Sequence, residues 1–187
     1  MKHELTNRQK PAIVGVLILA AYSMLTYSMT ENIVLGLVMD IISGLAVIGI
    51  ALIMYPIFAK RGNKALNLAY MISRGFEGVA MILGGFFLLS PGLRDYRNMI
   101  YVYIHIYFFI AGALFFYLLL YQSRVIPKFI SVWGIAATVA LTVMTLGEVV
   151  GITSSWLTLL ILPIILNELF LAIWLMIKGF REPELQS

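Results

Sequence analysis

Long apolar runs alternate with short polar turns along this chain, and that pattern predicts its architecture. Each run is close to the roughly 20 residues that an α-helix needs to cross about 30 Å of hydrocarbon. The runs predict six membrane-spanning helices at about 12–28, 33–58, 65–89, 99–122, 129–150 and 156–177. We therefore expect an all-α, polytopic membrane helical bundle, with residues 1–187 forming a single six-helix transmembrane domain.

Basic residues are distributed unevenly between the two ends of the predicted bundle. Ten of the 13 lysine and arginine residues fall in the N-terminal segment, in the turns after the second and fourth spans, or at the C-terminal end. The other three are Arg74, inside the third span, and Arg94 and Arg97, in the predicted loop at 90–98. By the positive-inside rule, both termini are predicted to be cytoplasmic.

Composition supports membrane insertion and excludes several kinds of site. With 61% hydrophobic and 12% charged residues and a mean hydropathy of +0.96, the chain cannot hide its apolar surface in one soluble core. The absence of cysteine excludes disulfides, thiolate metal sites and a cysteine nucleophile. His3 and His105 are the only histidines, so no paired-histidine metal motif exists. We expect no metal and no cofactor, and membrane lipids rather than nucleic acid as partners.

The informative residues are polar side chains at membrane depth. Arg74 and Glu77, three residues apart in the third span, lie on one face of a helix. Each would cost roughly 2.5–3.5 kcal/mol at the bilayer centre if left unpaired, so something inside the protein must receive them. Other polar residues fall near the middle of the sixth span, or about 8 Å outward of centre in the second and fourth spans. The predicted polar core, and candidate ligand-binding site, comprises Asp40, Arg74, Glu77, His105, Asn167 and Glu168.

The charges of this predicted core do not balance. Asp40, Glu77 and Glu168 are three acids, against Arg74 as one permanent base and His105 as one switchable base. Ionisation of all three acids would leave excess negative charge in a low dielectric. We therefore expect a protonated carboxyl, a protonated His105 or a bound cation.

Three classes of function fit this pattern. The leading hypothesis is a binding or transport protein that holds a small or lipophilic ligand, or a cation, at the intramembrane polar site. The second is an intramembrane enzyme that acts on a lipid or isoprenoid with carboxyl groups as acid and base. The third is a structural or accessory membrane protein whose polar core specifies helix packing. The sequence assigns no catalytic residue and no oligomeric state.

Several segments also resemble one protein family. They are the runs from Asp40 to Arg61 and from Ser73 to Gly78, the run from Phe115 to Lys128 with Trp133-Gly134, and Leu162-Pro163 with Glu168 and the run from Trp174 to Phe180. The most recognisable piece is the Tyr-x-Ser-Arg-x-Ile-Pro-Lys turn from Tyr121 to Lys128. These segments are similar to a large bacterial and archaeal family of integral membrane proteins described as domain of unknown function 4386, over spans two to six. The resemblance implies a multi-pass protein of a prokaryotic plasma membrane. The family has no established activity, so the resemblance implies no functional residues.

Overall fold

The computed structural model describes residues 9–152 and 154–181, and this part of the chain forms six helical rods joined by short turns. Lys2, Arg8 and the acidic tail from 182 onward lie outside the described residues. The rods are α1 (Gln9–Thr30), α2 (Ile33–Ala59), α3 (Lys64–Phe87), α4 (Pro91–Ser123), α5 (Lys128–Val149) and α6 (Ser155–Ile177).

The positions of the six predicted helices agree with this structure, except at the start of α4. The expected extramembrane loop at 90–98 is in fact a turn at Ser90 followed by a 3-10 turn, Pro91–Leu93, and a helix from Arg94. The prediction of a loop there was wrong because Pro91 and Gly92 turn the chain, but nothing after them prevents a helix. The charged residues that follow therefore belong to α4.

Side chains and backbone geometry determine where the rods begin and end. The side chains of Asn32 and Asn63 accept hydrogen bonds from the N–H groups of the first turns of α2 and α3, as N-caps commonly do. Glu31 and Arg124 end the preceding helices in the left-handed conformation, with φ of 54° and 53°. Turns of only a few residues follow, so consecutive rods are antiparallel neighbours.

The six rods form a ring in chain order. Each rod packs on the next, and α6 packs back on α1. At the end of the bundle where α1 begins and α6 ends, the N–H of Arg181 donates to the carbonyl of Val125 in the turn between α4 and α5. Below, this is called the terminal end of the bundle, and the end with the α1–α2, α3–α4 and α5–α6 turns is called the distal end.

The backbones of α2 and α3 approach each other closely at two glycines. A Cβ added at Gly44 would lie 2.5 Å from the carbonyl oxygen of Gly78, and one added at Gly78 would lie 2.6 Å from that of Gly44. The two backbones touch because neither residue has a side chain, which is the usual role of small residues between membrane helices.

Five of the six rods are long and apolar enough to cross a membrane: α1, α2, α4, α5 and α6. With 24 residues, α3 is about 36 Å long, which is also sufficient. It is less apolar because its inner face carries polar residues, including Asn67, Arg74 and Glu77, all of them buried. Its outer face is apolar and exposed, at Leu68, Ile72, Phe76, Val79, Leu83 and Phe86.

Candidate functional site

Arg74 and Glu77 form a buried ion pair on the inner face of α3. The Arg74 Nη1 atom donates to Oε2 of Glu77 at 2.7 Å, and the two residues are 8% and 1% exposed. On α4, Gly112 leaves room for the guanidinium, since a Cβ there would lie 2.9 Å from Arg74 Nε. Aromatic rings of Tyr70 and Phe109 flank the guanidinium, 5.9 and 5.6 Å from its Cζ. The guanidinium is thus held in place by a carboxylate and two rings.

His105 approaches the same carboxylate from α4. Its Nε2 atom lies 3.8 Å from Oε1 of Glu77, which is too long for a hydrogen bond. The imidazole is buried between the rings of Tyr101 and Phe109, at centroid distances of 5.1 and 6.1 Å. It would form an ion pair with Glu77 only if it carried a proton.

Glu168 comes from α6 and meets α1. The Tyr22 hydroxyl donates to Oε2 of Glu168 at 2.7 Å, across the contact between the first and last rods. No other side-chain hydrogen bond to Glu168 is present among the described residues. Its carboxylate is therefore held by a neutral phenol rather than by a cation.

These groups surround one cavity of about 160 Å³ at the centre of the ring. Every rod contributes to its wall, and most of the wall is apolar or aromatic. The side chains of Tyr70 and Tyr117 are fully buried, and their hydroxyls have no hydrogen-bond partner among the described residues. Buried hydroxyls normally have a partner, so both could bind a guest in the cavity. The polar lining residues are Tyr22, Tyr70, Arg74, Glu77, His105, Tyr117 and Glu168.

Three rods depart from α-helical geometry where they line this cavity. In α1 the segment Tyr22–Leu25 is a 3-10 helix, in α4 the segment Tyr101–His105 is a π-helix, and in α6 the segment Leu159–Ile161 is a 3-10 helix just before Pro163. Each segment contributes at least one lining residue. Single-turn π-bulges are frequent at functional sites, and interrupted helices often form the binding sites of membrane transporters.

Asp40 does not line this cavity. It pairs instead with Arg97, a residue that the sequence pattern assigned to a loop. Arg97 forms two hydrogen bonds with its carboxylate, Nε to Oδ2 at 2.8 Å and Nη2 to Oδ1 at 2.9 Å. The same Nη2 atom donates to the carbonyl of Met24 at 3.2 Å. Rings of Tyr27 and Tyr101 flank the guanidinium, 4.8 and 4.6 Å from its Cζ.

This pair corrects the charge count. The expectation of a single permanent base was wrong, since Arg97 is only 3% exposed and neutralises Asp40, which is fully buried. The sequence held two signals for this arrangement. Arg97, Tyr101 and His105 recur at four-residue spacing, so they share one helix face, and a buried acid in the second span required a base.

Asn167 also lies outside the cavity, although it is adjacent to Glu168 in sequence. Its Nδ2 atom donates to the carbonyl of Ile130 at 3.1 Å, which ties α6 to α5. The structure thus brings together four of the six predicted site residues, Arg74, Glu77, His105 and Glu168, and places Asp40 and Asn167 in contacts between helices. A ligand-binding role for the six residues stays a prediction.

The ionisable side chains around the cavity include more acids than permanent bases. Arg74 balances one carboxylate, so ionisation of both Glu77 and Glu168 leaves one excess negative charge. Within the described residues, no group of three or more histidine, cysteine, aspartate or glutamate side chains is placed to hold a metal ion. A single proton or a monovalent cationic group would restore neutrality.

Comparison with known proteins identifies a family but no characterised relative. The model of one family, domain of unknown function (DUF4386), matches residues 12–94 and 92–179. Neither the curated proteins nor the solved structures contain a match. The family match covers nearly the whole chain, and this protein therefore belongs to the DUF4386 family of unknown function.

Proposed function

We propose that this membrane protein binds, and passes across the bilayer, a small ligand or cation in the cavity at the centre of a six-span bundle. The observation that carries the proposal is a partly open cavity of about 160 Å³. It combines apolar walls with ionisable side chains and two tyrosine hydroxyls that have no hydrogen-bond partner among the described residues. A purely structural polar core would have no need of the space. Natural ligand pockets have the same composition, mostly apolar with a few convergent polar groups.

The six-span topology is part of the proposal. Arg74 and Glu77 of α3 face the interior, while its outward face is a continuous row of exposed apolar residues. A helix with a charged inner face and an apolar outer face can form one wall of a ring of helices in lipid. The positive-inside rule places the terminal end of the bundle in the cytoplasm, and the membrane would be the plasma membrane of a bacterium or archaeon.

Native mass spectrometry and lipid extraction test the proposal on protein purified in mild detergent. We expect wild type to retain a small co-purifying species that Glu77→Gln and Glu168→Gln lose. Glu148→Gln is the matched control, since Glu148 is an exposed carboxylate at the distal end of α5 and does not line the cavity. Its spectrum should match that of wild type.

Other outcomes contradict the proposal in distinct ways. A species that all three variants retain equally does not occupy the cavity. An empty, correctly folded wild type that also fails to bind added small molecules would favour the structural role. A species that wild type converts, and that Glu77→Gln leaves unchanged, would instead favour the intramembrane enzyme, with Glu77 and His105 facing each other as acid and base.

A further inference from the structure

Arg74 and Glu77 in the cavity are paired with each other, whereas Glu168 is bonded only to a neutral hydroxyl among the described side chains. Arg74 Nη1 is bound to Glu77, and two aromatic rings flank the guanidinium. The Nε atom faces Gly112 and has no hydrogen-bond partner among the described residues. Arg74 and Glu77 therefore neutralise each other. Glu168, held only by the hydroxyl of Tyr22 among the described side chains, is the charge that has no counter-ion. With both carboxyls ionised, the cavity is thus complementary to one positive charge.

The walls near Glu168 suit a cation that carries an apolar body. Phe116 stacks on Tyr70 at a centroid distance of 5.4 Å and meets Tyr117 edge to face at 5.5 Å. All three rings line the cavity. Aromatic faces attract ammonium groups most strongly when water is excluded, and the two free tyrosine hydroxyls can accept hydrogen bonds from an N–H group.

The entrance to the cavity is mostly apolar. Lining residues on α2, α3 and α5 are all buried, whereas some of those on α1, α4 and α6 are partly exposed, including Tyr22 and Glu168. The most exposed is Leu25 at 46%, and Met24, Ile106 and Ile161 are partly exposed too. All four belong to segments apolar enough to span a membrane. A guest that enters here passes hydrophobic side chains, so it must itself be lipophilic.

Volume limits the size of the guest. An apolar cavity of about 150 Å³ accommodates a benzene molecule, and this one measures about 160 Å³. One aromatic ring or a short branched chain with a single amino group fits that space.

We propose that the cavity binds a small lipophilic amine in its protonated form, with the carboxylate of Glu168 as counter-ion. This assignment rests on the proposed function and specifies the chemistry of its ligand. The amine donates hydrogen bonds to Glu168 and to the hydroxyl of Tyr117, and its apolar part lies against Phe116 and Tyr70.

Three ligands of nearly equal size test the assignment: benzylammonium, benzyl alcohol and benzoate carry charges of +1, 0 and −1. Binding to purified protein in nanodiscs at neutral pH is measured with radiolabelled ligand. We expect benzylammonium to bind about tenfold or more tightly than benzyl alcohol, the effect of one charge-assisted hydrogen bond, and benzoate to bind most weakly. In Glu168→Gln the advantage of benzylammonium over benzyl alcohol should disappear, whereas Glu168→Asp should retain most of it.

The outcomes separate the assignment from the proposal on which it rests. If benzyl alcohol or benzoate binds as well as benzylammonium, the cation assignment is wrong and the cavity remains a ligand site. If Glu168→Gln keeps the cation preference, Glu168 is not the counter-ion and the assignment is equally wrong. If none of the three ligands binds, both fail. The order of affinities in wild type decides the question even if Glu168→Gln does not fold.

Discussion

Replacing Arg97 by methionine removes the guanidinium that pairs with Asp40 and leaves a fully buried carboxylate without a counter-ion. Two charge-assisted hydrogen bonds are lost, each worth about 1.5–3 kcal/mol. Breaking a buried ion pair on one side costs about 3–5 kcal/mol in measured cases. We therefore expect Arg97→Met to lower the free energy of unfolding by about 3–5 kcal/mol, a large part of the 5–15 kcal/mol typical of proteins.

A double-mutant cycle measures this contribution. Unfolding is followed by circular dichroism as sodium dodecyl sulfate is titrated into mixed micelles. Asp40→Leu should cost about as much as Arg97→Met, because it leaves the guanidinium unpaired. The double variant should recover most of the loss, since apolar replacement of both partners of a buried pair is often neutral. Arg94→Met is the control and should cost less than about 1 kcal/mol, because Arg94 bonds only a backbone carbonyl among the described groups.

Two results would refute this reasoning. A loss below about 1 kcal/mol in Arg97→Met would mean that the carboxylate of Asp40 is solvated or otherwise compensated. A double variant as unstable as the sum of the two single variants would mean that the residues do not act as a pair.

Three further predictions concern packing and topology. Gly112→Ala should lower the free energy of unfolding by about 1–3 kcal/mol in the same assay, because the added methyl would lie 2.9 Å from Arg74 Nε. Gly92→Ala is the control and should lower it by less than about 0.5 kcal/mol, because a Cβ at Gly92 meets nothing within 4 Å. Asn167→Leu should lower the free energy of unfolding by about 0.5–1.5 kcal/mol and leave ligand binding unchanged. Loss of binding in this variant would place Asn167 in the site. In a chain without cysteine, an impermeant maleimide applied from outside the cell should label Gly92→Cys but not Arg61→Cys, and the reverse pattern would invert the topology.

Much of the fold can be predicted from local pattern, because helix length and apolar character are local properties. The runs that predict α2, α5 and α6 end within a few residues of the observed helices. The Arg74–Glu77 pair is predictable for the same reason, since three residues along one helix determine its geometry.

Contacts between helices explain what sequence analysis missed. Asp40 and Arg97 are 57 positions apart, so no local pattern joins them. Asn167 and Glu168 are neighbours in sequence, but consecutive residues of a helix point about 100° apart, and one faces α5 while the other meets α1. The cavity is likewise invisible in the sequence, because it depends on how all six rods close the ring.

Anomalous diffraction from crystals grown with a brominated ligand would show whether a guest occupies the cavity at the centre of the bundle. Crystals would be grown with 4-bromobenzylamine and, separately, with 4-bromobenzyl alcohol, so that occupancy of the cavity is tested independently of charge. The account predicts a bromine peak inside the ring, between Phe116, Tyr117 and Glu168, for at least one of the two ligands. A bromine peak only on the outer, lipid-facing surface, or no peak at saturating concentrations of either ligand, would contradict a ligand site at the centre of the bundle.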